Sequence, residues 1–277
     1  MIGPRTVGIV GTGLIGTSMG LAIRQRRVAE RVVGVDVDAA AVEAAKTRGA
    51  LDKGGTTYDI LREADLVVVA VPPDAVVDAA LQAAGSLRAG TVLTDVASTK
   101  AVIVSALEQR LPRLIRYVGG HPMAGSERSG PQAADAALLV GRPFIITPTS
   151  AGDGEAVEMV SALARGMGME PVVLEAKAHD DLVAQVSHAP YLLAVAALNA
   201  AVDEALHIQG PGFAGFGRLA ASPVEMWTQI CAGNAQAIRR ALTRLREELD
   251  RLDRALESRN ELALLLMQAQ RRAGGDS

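Results

Sequence analysis

The segment from Thr6 to Asp36 constrains this chain more than any other. It reads as a strand (Val7, Gly8, Ile9, Val10), a glycine loop (Gly11-Thr12-Gly13-Leu14-Ile15-Gly16), a helix, a second strand from Arg31 to Val35, and then Asp36. That order and spacing are those of a βαβ unit that binds a dinucleotide. Gly11 makes the tight turn, Gly13 lets the backbone approach a pyrophosphate, and Gly16 lets the helix pack closely on the strand. The helix N-terminus offers unpaired N–H groups and a positive dipole end to the phosphates. Asp36, 20 residues past Gly16, is placed to accept hydrogen bonds from the adenosine ribose. Its charge repels a 2′-phosphate, and Val37 and Asp38 follow it where arginines would favour one. NAD is therefore predicted over NADP. A glycine loop alone also serves as a plain turn; the flanking strands, helix and acid together decide for the cofactor.

The chain has 277 residues, enough for two domains with ample cores. Hydrophobic residues are 49% and charged residues 21%, ordinary for a soluble globular protein. A net charge of −3 provides no basic surface for nucleic acid. The single cysteine, Cys231, excludes an internal disulfide and suits a reducing cytoplasm. No secretory leader is expected before the first strand. No apolar run approaches the roughly 18 residues of a membrane span; the richest stretch, Tyr191 to Val202, is alanine-heavy and interrupted by Asn199. A cytoplasmic protein with a small-molecule partner is expected.

The first half alternates strands and helices. The run Leu66-Val67-Val68-Val69-Ala70-Val71 ends at Pro72-Pro73 and lacks polar alternation, so it reads as a strand buried on both faces of a parallel sheet. Helices are predicted from Ala39 to Arg48, Asp74 to Ser86, near Thr99 onward, and Gly154 to Met167. Further strands are predicted at Thr91–Val96, Tyr117–Gly119, Pro143–Thr147 and Pro171–Glu175. This is the pattern of an α/β fold with a doubly wound, Rossmann-type sheet. From about Ala178 no strand is legible. Ala178 to Leu206 and Pro223 to Arg272 have helical periodicity, with Leu242, Leu245, Leu249, Leu252 and Leu256 forming one stripe. The predicted organisation is a dinucleotide-binding domain over residues 1–176 and an all-helical substrate and dimerisation domain over 177–277, assembled as a homodimer. Residues 274–277 read as a frayed tail.

Ligands in such sheets bind beyond the carboxyl ends of the strands. Those ends carry Val71 and Pro72, the segment Asp95 to Lys100, and the segment Gly119 to Glu127. Thr99 is assigned to capping the next helix, which leaves Ser98 as a site candidate. His121 follows two glycines and precedes Pro122. A lone histidine in a loop is commonly satisfied by backbone; at a strand end facing a nicotinamide it is the natural general base, since imidazole titrates near neutrality.

With these segments in view the chain resembles the prephenate/arogenate dehydrogenase family of tyrosine biosynthesis. The matching residues are the glycine loop, Asp95-Val96-Ala97-Ser98-Thr99-Lys100, His121-Pro122-Met123-Ala124-Gly125-Ser126-Glu127, His179-Asp180, Ser187-His188-Ala189-Pro190 and the stretch Arg218 to Trp227. The resemblance implies oxidative decarboxylation with hydride transfer from ring C4 of prephenate or arogenate to NAD. It implies that His121 accepts the C4 hydroxyl proton, that Ser98 hydrogen-bonds that hydroxyl or His121, and that Arg218 binds a substrate carboxylate. The family often carries a second histidine three residues after the first, and here Tyr191 stands in that place. His188 and Tyr191 are therefore assigned to the substrate side chain, with helix packing the alternative for His188, and keto against amino preference stays open. His179-Asp180 is assigned to the start of a helix, with Asp180 favoured by the macrodipole.

Three alternatives remain: the same fold acting on 4-amino-4-deoxyprephenate, a β-hydroxyacid dehydrogenase, or a non-catalytic NAD sensor. β-Hydroxyacid dehydrogenases rely on a lysine in the helical domain, and Lys177 is the only lysine beyond Lys100. A sensor needs no proton acceptor beside the nicotinamide. No metal site and no fused mutase or regulatory domain is expected.

Overall fold

Strands that are apolar on both faces need cover on both, and here they receive it. The computed structural model describes residues 3–150 and 152–274. Eight strands form one sheet: β1 (Thr6–Val10), β2 (Arg31–Val35), β3 (Lys53–Gly55), β4 (Leu66–Val69), β5 (Val92–Asp95), β6 (Arg116–Pro122), β7 (Pro143–Pro148) and β8 (Glu170–Val173), in the order β3-β2-β1-β4-β5-β6-β7-β8. Successive side chains point to opposite faces. Val7, Ile9, Leu66 and Val68 join a core with α1 (Leu14–Gln25), α2 (Ala39–Thr47) and, further along the chain, the helix Gly154–Gly166. Val10, Val67, Val69 and Leu93 join the opposite core under α3 (Val76–Ala84) and α4 (Ala101–Arg110). The helix Gly154–Gly166 is α5.

The sheet departs from the sequence-based expectation at its edge and in its strand directions. The short edge strand β3 was not foreseen; its Lys53-Gly54-Gly55 carries no strand signal and pairs with β2 by backbone alone. Strand β7 runs antiparallel to β6 in a sheet otherwise parallel. Between Pro122 and Pro143 the chain makes two 3₁₀ turns and no α-helix. A parallel return needs a long crossover, so this connection sends the strand back the other way.

Strand β6 also runs three residues beyond its expected end. His121 therefore lies within the strand, opposite Ile145, and not in a loop after it. Gly120 permits this. A Cβ there would lie 2.5 Å from the Asp95 carbonyl oxygen, so only glycine lets β6 pass this close to the end of β5.

After β8 the chain is helical. Helix α6 (Ala176–Val183), a π-helical turn (Ala184–His188) and α7 (Ala189–Ala200) run on without a break. They are followed by α8 (Asp203–Leu206), α9 (Pro211–Ala220), α10 (Val224–Gly233), α11 (Ala235–Ala255) and α12 (Arg259–Ala273). Ala184, Ala189, Ala237, Ile238 and Ala241 form a small core here. Along the leucine stripe of α11, Leu242 is half-buried, whereas Leu249 and Leu256 are exposed. Of the segment assigned to a frayed tail, residues 275–277 lie outside the described residues.

The fused helix Ala176–Ala200 is 25 residues long and by length and composition is apolar enough to cross a membrane, with a mean hydropathy of 1.3 in its richest window. The sequence reading, which took Tyr191 to Val202 alone, did not anticipate it. The same helix buries His179, Asp180 and His188 and bonds them to partners within the chain. Polar side chains of this kind are costly in lipid, while only 28% of the apolar window is buried within the chain.

Candidate active site

The glycine loop lies directly after β1, beside the end of β4. Gly11 has φ 92°, and a Cβ there would lie 2.5 Å from the Ala70 carbonyl oxygen and 2.9 Å from the Val71 side chain. Val71 thus borders the loop, with Pro72 exposed beyond it. Asp36, at the end of β2, accepts hydrogen bonds from Thr12 N at 2.6 Å, Thr12 Oγ1 at 3.1 Å and Asp38 N at 3.0 Å. It ties the loop in place and stands beside it. Gly13 begins α1 with no side-chain cap and with open space around its Cα, and no acid occupies the first turn that includes Leu14, Ile15 and Gly16. The N–H groups of this helix end have no side-chain cap among the described residues, and the residues present fit the diphosphate of a dinucleotide.

A chain of hydrogen bonds runs from β6 into the helical half. His121 Nδ1 and His179 Nε2 are 2.8 Å apart, and His179 Nδ1 lies 2.8 Å from Asp180 Oδ1. Asp180 Oδ1 also accepts Lys100 N at 2.7 Å, and its Oδ2 accepts Ala101 N at 2.9 Å. Asp180 is therefore not at the start of its own helix, as the sequence had suggested; Glu175 caps α6 through Lys177 N and Ala178 N. Nor does Thr99 cap α4, which has no cap from its own segment. Asp180 satisfies that helix end from 80 residues away.

His121 is 6% exposed and His179 and His188 are fully buried. Burial pushes the His121 pKa well below the usual imidazole value, and His179, the Lys100 ammonium and His188 act in the same direction. His121 is thus a neutral imidazole at physiological pH. Lys100 is itself completely buried against Asp95, which also accepts Ala97 N at 2.8 Å and the Tyr117 hydroxyl at 2.6 Å. Burial lowers the Lys100 pKa while Asp95 opposes the shift; burial raises that of Tyr117 well above the ordinary phenol.

A second cluster surrounds His188. Asn234 donates to the Asp180 carbonyl at 2.8 Å and to His188 Nδ1 at 3.3 Å. His188 Nδ1 is then the acceptor and Nε2 carries the proton. His188 Nε2 and Trp227 Nε1 are both buried without a hydrogen-bond partner among the described residues. The two rings meet edge to face at 6.0 Å, and Tyr191 lies flat on Trp227 with centroids 3.6 Å apart. Two unpaired N–H donors in one aromatic nook are what an oxygen-bearing ligand would satisfy. Burial lowers the His188 pKa to about 4.

Ser98 is half-buried beyond β5 and hydrogen-bonds neither His121 nor any other described residue. Arg218 is in the last turn of α9, exposed, and pairs with no carboxylate among the described residues. Its guanidinium is free for a ligand.

Residues 19–173 match the model of the prephenate dehydrogenase nucleotide-binding domain, and residues 175–268 match that of the prephenate dehydrogenase dimerization domain. The chain belongs to the prephenate dehydrogenase family. It is 30% identical over 264 residues to a prephenate dehydrogenase of Lactococcus lactis subsp. cremoris (strain MG1363), covering 92% of this chain and 72% of that protein. Its fold is similar to prephenate dehydrogenase from A. aeolicus, solved in complex with hydroxyphenyl propionate and NAD+, with TM-score 0.89 at 27% identity over 99% of this chain and 98% of that one. Synechocystis arogenate dehydrogenase aligns with TM-score 0.83 at 26% identity over 98% and 100%.

In this prephenate dehydrogenase family member, Trp227 and Asn234 join the candidate site without having been singled out from the sequence, and Lys100, Asp95 and Tyr117 had no separate role there. Lys100 carried a signal: a charged residue between buried segments must find a partner. Trp227 carried one only as the end of the family-matching stretch that begins at Arg218, and Asn234 carried none, since its partners lie tens of residues away.

Proposed function

We propose that the chain is an NAD-dependent dehydrogenase that oxidatively decarboxylates prephenate, arogenate or both, acting as a cytoplasmic homodimer. The observation that carries this is His121, a buried neutral imidazole whose Nδ1 is engaged and whose Nε2 makes no hydrogen bond among the described residues. Gly11, Thr12, Gly13, Leu14, Ile15 and Gly16 would hold the diphosphate of NAD, Asp36 its adenosine ribose, and Val71 and Pro72 would flank it. When bound, NAD supplies the acceptor for the hydride leaving ring C4.

The other tasks fall to side chains. His121 Nε2 accepts the C4 hydroxyl proton, and Ser98 orients that hydroxyl. Arg218 binds a substrate carboxylate through its planar fork. His188, Tyr191 and Trp227 receive the side chain. As the hydroxyl becomes the phenol oxygen, the ring carboxylate leaves as CO2 and the ring becomes aromatic. The domain boundary is placed at residues 176/177, and the exposed Leu249, Leu256, Leu264 and Leu266 are assigned to the subunit contact.

The test is reduced-nicotinamide formation from NAD with prephenate and with arogenate, for the wild type and His121→Asn. Turnover on either substrate, cut by about 10² or more in the variant, supports the reading. Silence on both substrates overturns the assigned reaction, and an undiminished variant overturns the assigned base.

A further inference from the structure

The hydrogen-bond chain behind His121 has a direction. Asp180 receives two backbone N–H groups, from Lys100 and Ala101, and a carboxylate can only accept. Its third neighbour, His179 Nδ1, must therefore be the donor. With one proton on His179, held at Nδ1 by Asp180, its Nε2 presents a lone pair and His121 Nδ1 supplies the proton between the two rings. The remaining nitrogen of His121, Nε2, is left as a bare acceptor. Free neutral imidazole has no such constraint, and the tautomer with the proton on Nε2 would be useless as a base at that atom.

We infer that His179 and Asp180 are positioning residues that fix the tautomer of His121, and that docking the helical half onto α4 is what sets the base. This rests on His121 being the base proposed above. His121 belongs to the sheet, whereas His179 and Asp180 belong to α6. The same carboxylate that orients His179 also caps α4, a helix of the sheet half. Capping is worth a helix end's stability, and orienting is worth a base; one side chain does both, so the two cannot be set independently. Burial reinforces the arrangement, since His179 is fully enclosed and no water competes for its Nε2. The logic is that of a nucleophile or base oriented through a third group.

The protein has four histidines, so each can be assigned in a nitrogen-15 imidazole spectrum by single substitution. In the unliganded wild type, His121 should show the neutral Nδ1–H tautomer. His179→Leu, which removes the acceptor, should release His121 toward the Nε2–H form. The same variant should lower kcat by about 10² while substrate KM stays within about threefold and NAD affinity is unchanged. His179→Gln retains an amide oxygen that can accept from His121 Nδ1, and should recover at least tenfold of the loss. It also covers the case in which the leucine variant fails to fold. An Nε2–H tautomer in the wild type would overturn the inference, as would a folded His179→Leu enzyme of undiminished kcat. The spectrum reads the tautomer whether or not prephenate is turned over, so failure of the proposed reaction is told apart from failure of the positioning role.

Discussion

The Tyr191 ring lies on the Trp227 indole with centroids 3.6 Å apart and planes 3° from parallel. This stack closes one side of a nook in which Trp227 Nε1–H and His188 Nε2–H have no partner among the described residues. An unpaired buried donor costs about 1–3 kcal/mol, which a bound oxygen would return. Trp227→Phe keeps the stacked surface and removes one donor. Substrate KM should rise about 10-fold or more with kcat less affected. Trp227 is the only tryptophan, so its fluorescence reports this nook directly. Substrate that leaves the emission unchanged and a KM that does not move would place the ligand elsewhere.

The proposed role of Asp36 is to set the choice of cofactor. The wild type should favour NAD over NADP in kcat/KM, because a 2′-phosphate would meet a carboxylate. Asp36→Asn keeps an acceptor for Thr12 N and removes the charge, so the preference should narrow by about tenfold, the scale of one screened charge pair. Equal use of both cofactors by the wild type would contradict this account.

Lys100 is a buried cation whose partner is Asp95. Removing one member of a buried pair strands the other, at a cost of about 3–5 kcal/mol. Lys100→Met should therefore lower the urea midpoint substantially. Because the Lys100 charge helps depress the His121 pKa, the acid limb of kcat/KM should move to higher pH in any folded fraction. A limb that stays in place would separate Lys100 from the base.

His188 makes stability depend on pH. Its folded pKa of about 4 lies below the unfolded value of 6.5, so the unfolded chain binds the proton more readily. The contribution is present in full above pH 6.5 and is lost as pH falls toward 4, by about 3 kcal/mol in total. The difference between urea midpoints at pH 7.5 and pH 4.5 should shrink in His188→Gln. An unchanged difference would assign the acid sensitivity to other groups.

Much of the fold was legible because its signals are local. The glycine loop, the apolar runs of β1 and β4 and the helical periodicity after residue 178 each follow from residues within a few positions of one another. The antiparallel turn of β7 was less legible, since it depends on a missing crossover helix and not on any residue in the strand. Among candidate site residues, His121 was visible by its setting between two glycines and a proline. Its immersion in β6 was not, because Gly120 matters only once β5 lies against it.

The sequence by itself determined the nucleotide-binding unit, the two-part organisation and the identity of the candidate base, since each is written in contiguous residues. The tertiary structure alone decided how that base is held. His179 meets His121 across 58 residues, and Asp180 meets Lys100 across 80. Buried polar groups must find partners wherever the fold supplies them, and spacing along the chain does not encode which partners those are.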